Sequence, residues 1–301
     1  MKHTFKITLM LLLMFLLSQI IGVYIISKYI DYPQTKEVGK AVFIEPPIGE
    51  WPKVENQSTS FTYIFIAILI GTLILFIFIK FKLYLIWKLW YALAIVFCLT
   101  YAFGAFVPWI FAGILSILLV AYKLFKPNII VNNIIELFLY GGLASIFIPG
   151  FLNFFSATIL LLLISLYDMY AVWKSKHMVK LANFQTESKV FAGLSVPYKM
   201  PALIKPKGVK VKKEKVKTAI LGGGDIGFPL LFAGAVFKDL IGTETLGIAF
   251  SLTMIISLFA AIALAGLLLY SKKDRFYPAM PFISAGCFLG YGVMLLARII
   301  I

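Results

Sequence analysis

Two aspartates stand where an apolar chain ordinarily carries none. Asp168 lies in Leu166-Tyr167-Asp168-Met169-Tyr170, and Asp225 follows Gly222-Gly223-Gly224. An ionisable side chain inside a membrane-spanning helix costs about 2.5–3.5 kcal/mol on insertion scales, so each is a candidate for function. Two carboxylates brought close in a low-dielectric site do not both ionise comfortably. They share a proton, and one stays a base while the other is an acid. Such a pair can activate water, protonate a leaving amine and cut a peptide bond with no metal or covalent nucleophile.

Other chemistries lack their residues. The only cysteines, Cys98 and Cys287, lie in apolar segments, so no disulfide framework or metal ribbon is expected. His3 and His177, the only histidines, lie at the chain start and in a basic loop, which leaves no histidine zinc site and no membrane histidine to activate a serine. Neither H-E-x-x-H nor G-x-S-x-G occurs. No metal and no cofactor is expected.

The elements that must position the acids are membrane helices. Of 301 residues, 61% are hydrophobic and 14% charged, and mean hydropathy is +0.97. A soluble domain is about 45–50% apolar and about 25% charged. A single water-soluble globule is excluded, and so is disorder. Apolar length and flanking charge predict an all-α, polytopic membrane protein with nine transmembrane helices. They cover residues 5–26, 61–79, 83–101, 106–122, 129–148, 152–173, 218–241, 247–270 and 278–299. The first, although it starts like a secretory signal, is read as an uncleaved span, because its apolar run continues past Gln19 with no A-x-A site after it.

The formal charge of +15 is not a nucleic-acid footprint, because twelve of the lysines fall between Lys174 and Lys217. A basic loop between apolar helices belongs on the cytoplasmic side. Lys2 and Lys6, Lys80 and Lys82, Lys123 and Lys126, and Lys272, Lys273 and Arg275 mark four more connections of the same side. The N-terminus is then cytoplasmic and the C-terminus outside, in a multi-pass protein of the cell membrane. Residues 1–174 hold six spans, with an irregular, proline-rich outer loop at 27–60. Residues 175–217 form the basic cytoplasmic loop, and 218–301 hold the last three spans. Within the outer loop Asn56-Gln57-Ser58 is an N-x-S sequon, a weak signal.

Depth sets the two acids at one level, where they approach each other if their helices pack together. Asp168 precedes the basic loop by six residues, roughly 9 Å of helix, and Asp225 follows it by eight, roughly 12 Å. Their helices are consecutive and antiparallel, so both carboxylates fall at similar depth from one membrane face. Gly222, Gly223, Gly224, Gly227 and Pro229 describe a loosened helix beside Asp225, suited to admitting water and an extended peptide.

These residues resemble the presenilin and signal-peptide-peptidase family of intramembrane aspartyl proteases. The family pattern is Y-D in the sixth span, G-x-G-D in the seventh and P-A-L at the start of the ninth. Tyr167-Asp168 and Gly222-Gly223-Gly224-Asp225 match the first two. Pro278-Ala279-Met280 stands for the third, with Met in place of Leu, a nearly volume-conserving change. A literal Pro201-Ala202-Leu203 lies in the basic loop and is read as a decoy. The resemblance covers the whole chain and is most like a compact microbial, archaeal-type presenilin homologue. It implies catalytic roles for Asp168 and Asp225, supporting or substrate-binding roles for Tyr167, Gly222, Gly224, Pro278, Ala279 and Met280, and cleavage of single-span transmembrane helices. The partners it implies are those substrates and the lipid bilayer, with a homo-oligomer left open.

Other polar residues in the spans have plainer readings. Glu136 is expected to partner a buried polar group, Asn132 and Asn133 to bond neighbouring helices, and Lys88 to snorkel. Lys238 and Asp239 read as an interfacial pair. A proton-coupled transporter or cation pore using the buried carboxylates is the alternative from another class. A helix-binding chaperone without catalysis is a third. A prepilin-type G-x-G-D peptidase has fewer spans and leaves the Pro278 motif unexplained.

Overall fold

The computed structural model describes residues 4–126, 128–174, 184, 188, 192–198, 218–271 and 277–300. Most of the basic loop, the Pro201-Ala202-Leu203 decoy and the cationic turn at 272–275 lie outside them. Apolar runs fold into helices here because a bilayer leaves no partner for an open backbone. In order these are α1 (Phe5–Lys28), a short α2 (Tyr32–Val38), α3 (Ser60–Lys80), α4 (Tyr84–Gly104), α5 (Trp109–Phe125), α6 (Ile129–Phe147) and α7 (Phe154–Trp173). Strands β1 (Gly193–Pro197) and β2 (Thr218–Gly222) follow, then α8 (Gly224–Leu240), α9 (Leu246–Tyr270) and α10 (Met280–Ile300).

Among the described residues seven helices are long and apolar enough to cross a membrane. Two of the nine expected spans, α5 and α8, are shorter, at 17 residues each. At 1.5 Å per residue each covers roughly 25 Å, a little less than the hydrocarbon core. The all-α expectation needs one correction, because β1 and β2 pair antiparallel. The seventh span therefore does not begin as helix at residue 218. Residues 218–222 are a strand, and the helix starts at Gly224. The physical reason is local. Three successive glycines weaken helix propagation, and β1 offers a ladder partner in which Leu194 faces Leu221 and Val196 faces Ala219. All four are buried, while Ile220 between them is 47% exposed, the alternation of a strand covered on one face.

The bundle is arranged around α8. Helices α1, α6, α7, α9 and α10 all touch it, and from Ile226 to Phe237 only Phe228 escapes full burial. A helix apolar on every side belongs in such a centre. Small residues allow the closest crossings. Gly286 and Gly290 of α10, four apart, lie against Phe259, Ala260 and Ile256 of α9, the small-xxx-small geometry that lets backbones approach in lipid.

The outer segment is more ordered than its prolines suggest. Asp31 caps α2 by accepting from the Gln34 amide, and Gly39 ends that helix in the left-handed region. The Tyr29 hydroxyl donates to the Tyr101 carbonyl at 2.6 Å, and the Tyr101 hydroxyl to the Ile48 carbonyl at 2.7 Å. The Trp51 ring closes against both tyrosines. Lys238 and Asp239 interact electrostatically, but the hydrogen bonds of Lys238 go elsewhere. Its ammonium donates to Gln57 and to the carbonyls of Ile148, Pro149 and Leu152, at 2.9–3.1 Å, and so caps the turn between α6 and α7.

Helix α6 meets α4 at Gly142, where a side chain would collide with the Cys98 carbonyl and approach Ala102. Gly142→Val is expected to destabilise the protein by about 1–3 kcal/mol through overpacking. Thermal unfolding in detergent should show a lower midpoint, and an unchanged midpoint would contradict this packing.

Candidate active site

Asp168 sits near the C-terminal end of α7 and is 9% exposed. Its Oδ2 accepts the Met280 backbone N–H at 3.0 Å, and the Ala279 amide faces the same carboxylate. Met280 opens α10, where the first amides have no partner inside the helix. Asp168 thus supplies an acceptor to orphan donors at the positive end of a helix dipole. A second bond holds the same two helices together, with Ser165 Oγ and Ser284 Oγ 2.8 Å apart and both buried. Pro278 and Ala279 stay out of the helix and deliver its first amide to the carboxylate.

Asp225 lies in the first turn of α8. The Gly222 amide faces its carboxylate, and a Cβ at Gly222 would lie 3.3 Å from Oδ2. Pro229 has no amide to offer the Asp225 carbonyl four residues earlier, so this turn lacks one helix hydrogen bond. The Gln19 side chain of α1 reaches the same turn, donating to the Ile226 carbonyl at 3.1 Å. The two carboxyls lie close enough to interact electrostatically. Each therefore sits at a helix N-terminus, Asp225 at that of its own helix and Asp168 at that of α10.

The other expected site residues divide. The Tyr167 hydroxyl points to α3, where it donates to Thr72 Oγ1 at 3.3 Å. Gly222 and Gly224 flank the entry to α8, but the crowded glycine is Gly223 between them. A Cβ there would lie 2.7 Å from the Tyr140 hydroxyl. Met280 is buried beside Asp168. Glu136 bonds a buried polar group as expected, and its partner is Lys123, at 2.6 Å. Lys123 is therefore buried rather than a free charge of the turn after α5. Gln19, Tyr140 and Gly223 were not singled out as site residues, although a glutamine inside an apolar span is a readable signal.

A family model described as signal-peptide peptidase, presenilin aspartyl protease matches residues 49–300. The chain belongs to that family. Two solved structures of a presenilin family intramembrane aspartate protease share its fold. In a C222 crystal form the identity is 20% and the TM-score 0.60, with 95% of each chain covered. In a P2 form they are 19% and 0.55, with 95% of this chain and 96% of the other covered. No curated protein matches. The presenilin-type aspartyl proteases are hydrolases of peptide bonds within membranes, and this chain is an integral membrane member of their family.

In this presenilin-family bundle the sheet is anchored beside the acids. Asn133 of α6 pairs with β1 as a strand edge would: its Nδ2 donates to the Ser195 carbonyl at 2.8 Å, and its Oδ1 accepts the Ser195 amide at 3.0 Å. Asn132 donates to the Gly193 carbonyl at 3.1 Å. Among the described residues the far edge of β2 has no strand partner. Asn133→Leu strips both Ser195 groups of their partners and is expected to lower stability by about 1–3 kcal/mol. Detergent unfolding midpoints measure the effect, and a midpoint equal to that of the unmutated protein would refute it.

Proposed function

We propose that this protein is an intramembrane aspartyl endopeptidase that cuts single-span transmembrane helices. Asp168 and Asp225 alternate as acid and base on a shared water. One carboxylate draws a proton from the water as it attacks the scissile carbonyl, and the other, protonated, hydrogen-bonds the carbonyl oxygen and then returns a proton to the leaving amine. The observation that carries this reading is that two carboxyls, from α7 and α8, lie within electrostatic reach of each other, each facing backbone amides at a helix N-terminus. Such amides hold the carboxyls in place while leaving the proton to be shared.

Among the described residues β2 has no strand partner on its far edge, and this supports the substrate class. It ends three residues before Asp225, and an unpaired edge accepts an extended peptide through main-chain bonds. A transmembrane helix unwound at its end can lie along that edge with a peptide bond at the acids. Nine spans, a cytoplasmic N-terminus, an outside C-terminus and a place in the cell membrane complete the proposal, with the acids at the cytoplasmic face. Glu136, a further buried carboxylate that an ion pathway would use, is paired with Lys123.

Purified protein in lipid should cleave a helical membrane substrate. Asp168→Ala and Asp225→Ala should each abolish cleavage, whereas Glu136→Gln should retain measurable cleavage. Undiminished turnover in either aspartate variant rules the mechanism out. The rate should also trace a bell against pH. It falls at low pH when both carboxyls are protonated and at high pH when the shared proton is lost. A flat profile counts against a shared proton.

A further inference from the structure

We propose that Tyr140, held by the buried Lys123–Glu136 pair, is the positioning residue for Asp225; this rests on the proteolytic reading above. Glu136 of α6 is completely buried and accepts from three donors. Its Oε1 takes the Lys123 ammonium at 2.6 Å and the Tyr91 hydroxyl at 3.2 Å, and its Oε2 takes the Tyr140 hydroxyl. Lys123 also donates to the Tyr91 hydroxyl at 2.8 Å and lies over the Tyr91 ring. The network joins α4, α5 and α6.

From this fixed base Tyr140 reaches α8. Its hydroxyl lies 2.7 Å, and its ring 3.6 Å, from where side chains at Gly223 and Gly227 would begin. Residues four apart share one helix face, so the two glycines form a slot that the tyrosine fills. Asp225 lies midway between them in sequence and within electrostatic reach of the Tyr140 hydroxyl. The wedge thus sets where α8 begins, and with it where the Asp225 carboxyl points. An anionic acceptor makes a stronger hydrogen bond than a neutral one, so Glu136 commits the Tyr140 proton to itself. The hydroxyl is then not free to swing and donate to Asp225. Tyr140 touches neither water nor peptide in this scheme and acts only through Asp225.

Proteoliposome cleavage by the full chain tests it, with kcat and KM determined separately for Tyr140→Phe, Glu136→Gln, their combination, and Lys123→Met/Glu136→Leu. The last replaces the ion pair by apolar side chains, a change that buried pairs often tolerate without loss of folding. Each variant is expected to lose about ten- to a hundredfold in kcat, with KM within about twofold and an unfolding midpoint near that of the unmutated protein. The combined Tyr140→Phe/Glu136→Gln variant should be no slower than the worse single, as for groups acting in one chain. Three results would overturn the inference: unmutated kcat in the folded apolar-pair variant, losses that multiply in the combination, or a Tyr140→Phe protein whose lost activity follows lost folding. Failure of the proteolytic reading looks different, because the unmutated chain would then not cleave, or Asp225→Ala would leave cleavage intact.

Discussion

A carboxylate inside a bilayer must find its donors within the protein, and Asp168 finds them at the start of α10. That bond brings the C-terminal end of α7 against the N-terminus of a helix more than a hundred residues later in the chain. The Ser165–Ser284 contact repeats the pairing about one turn away. With α7 and α10 so placed and both touching α8, the first turn of α8 comes beside Asp168. The position of one acid is thereby tied to that of the other.

The described residues treat their buried charges in different ways. Glu136 meets an ammonium and two hydroxyls. Lys238 meets three carbonyls and an amide oxygen. Both are saturated, as groups with structural duties should be in a low dielectric. Among the described residues Asp168 and Asp225 face neutral backbone amides and take part in no salt bridge. A carboxyl without a counter-cation remains free to exchange its proton with a neighbour. Saturation at Glu136 and its absence at the aspartates are two uses of one chemical group.

The strand pair solves a related difficulty. Three glycines cannot sustain a helix cheaply, yet the backbone before α8 still needs partners. β1 supplies them on one side, and Asn132 and Asn133 hold β1 in turn to α6. Among the described residues the other side of β2 has no strand partner. The same backbone need that forces helices elsewhere is met here by a strand pair instead.

Composition and apolar run length were enough to determine a membrane helical bundle, because no water-soluble packing can hide so much apolar surface. The two aspartates were legible for the same reason: charge is costly in a span and therefore conspicuous. The helices expected at 83–101, 129–148 and 247–270 stand close to where apolar length placed them. The strand at 218–222 was not legible, since an apolar run of five residues before glycines reads equally as helix, and only β1 decides between them. Nor could one-dimensional reading find Tyr140 against Gly223, or move Lys123 from a charged turn into the interior. Those contacts join residues up to 83 positions apart, and they depend on which faces of α5, α6 and α8 meet. Hydropathy records that a face is apolar and is silent about its neighbour. The tertiary structure alone decided that.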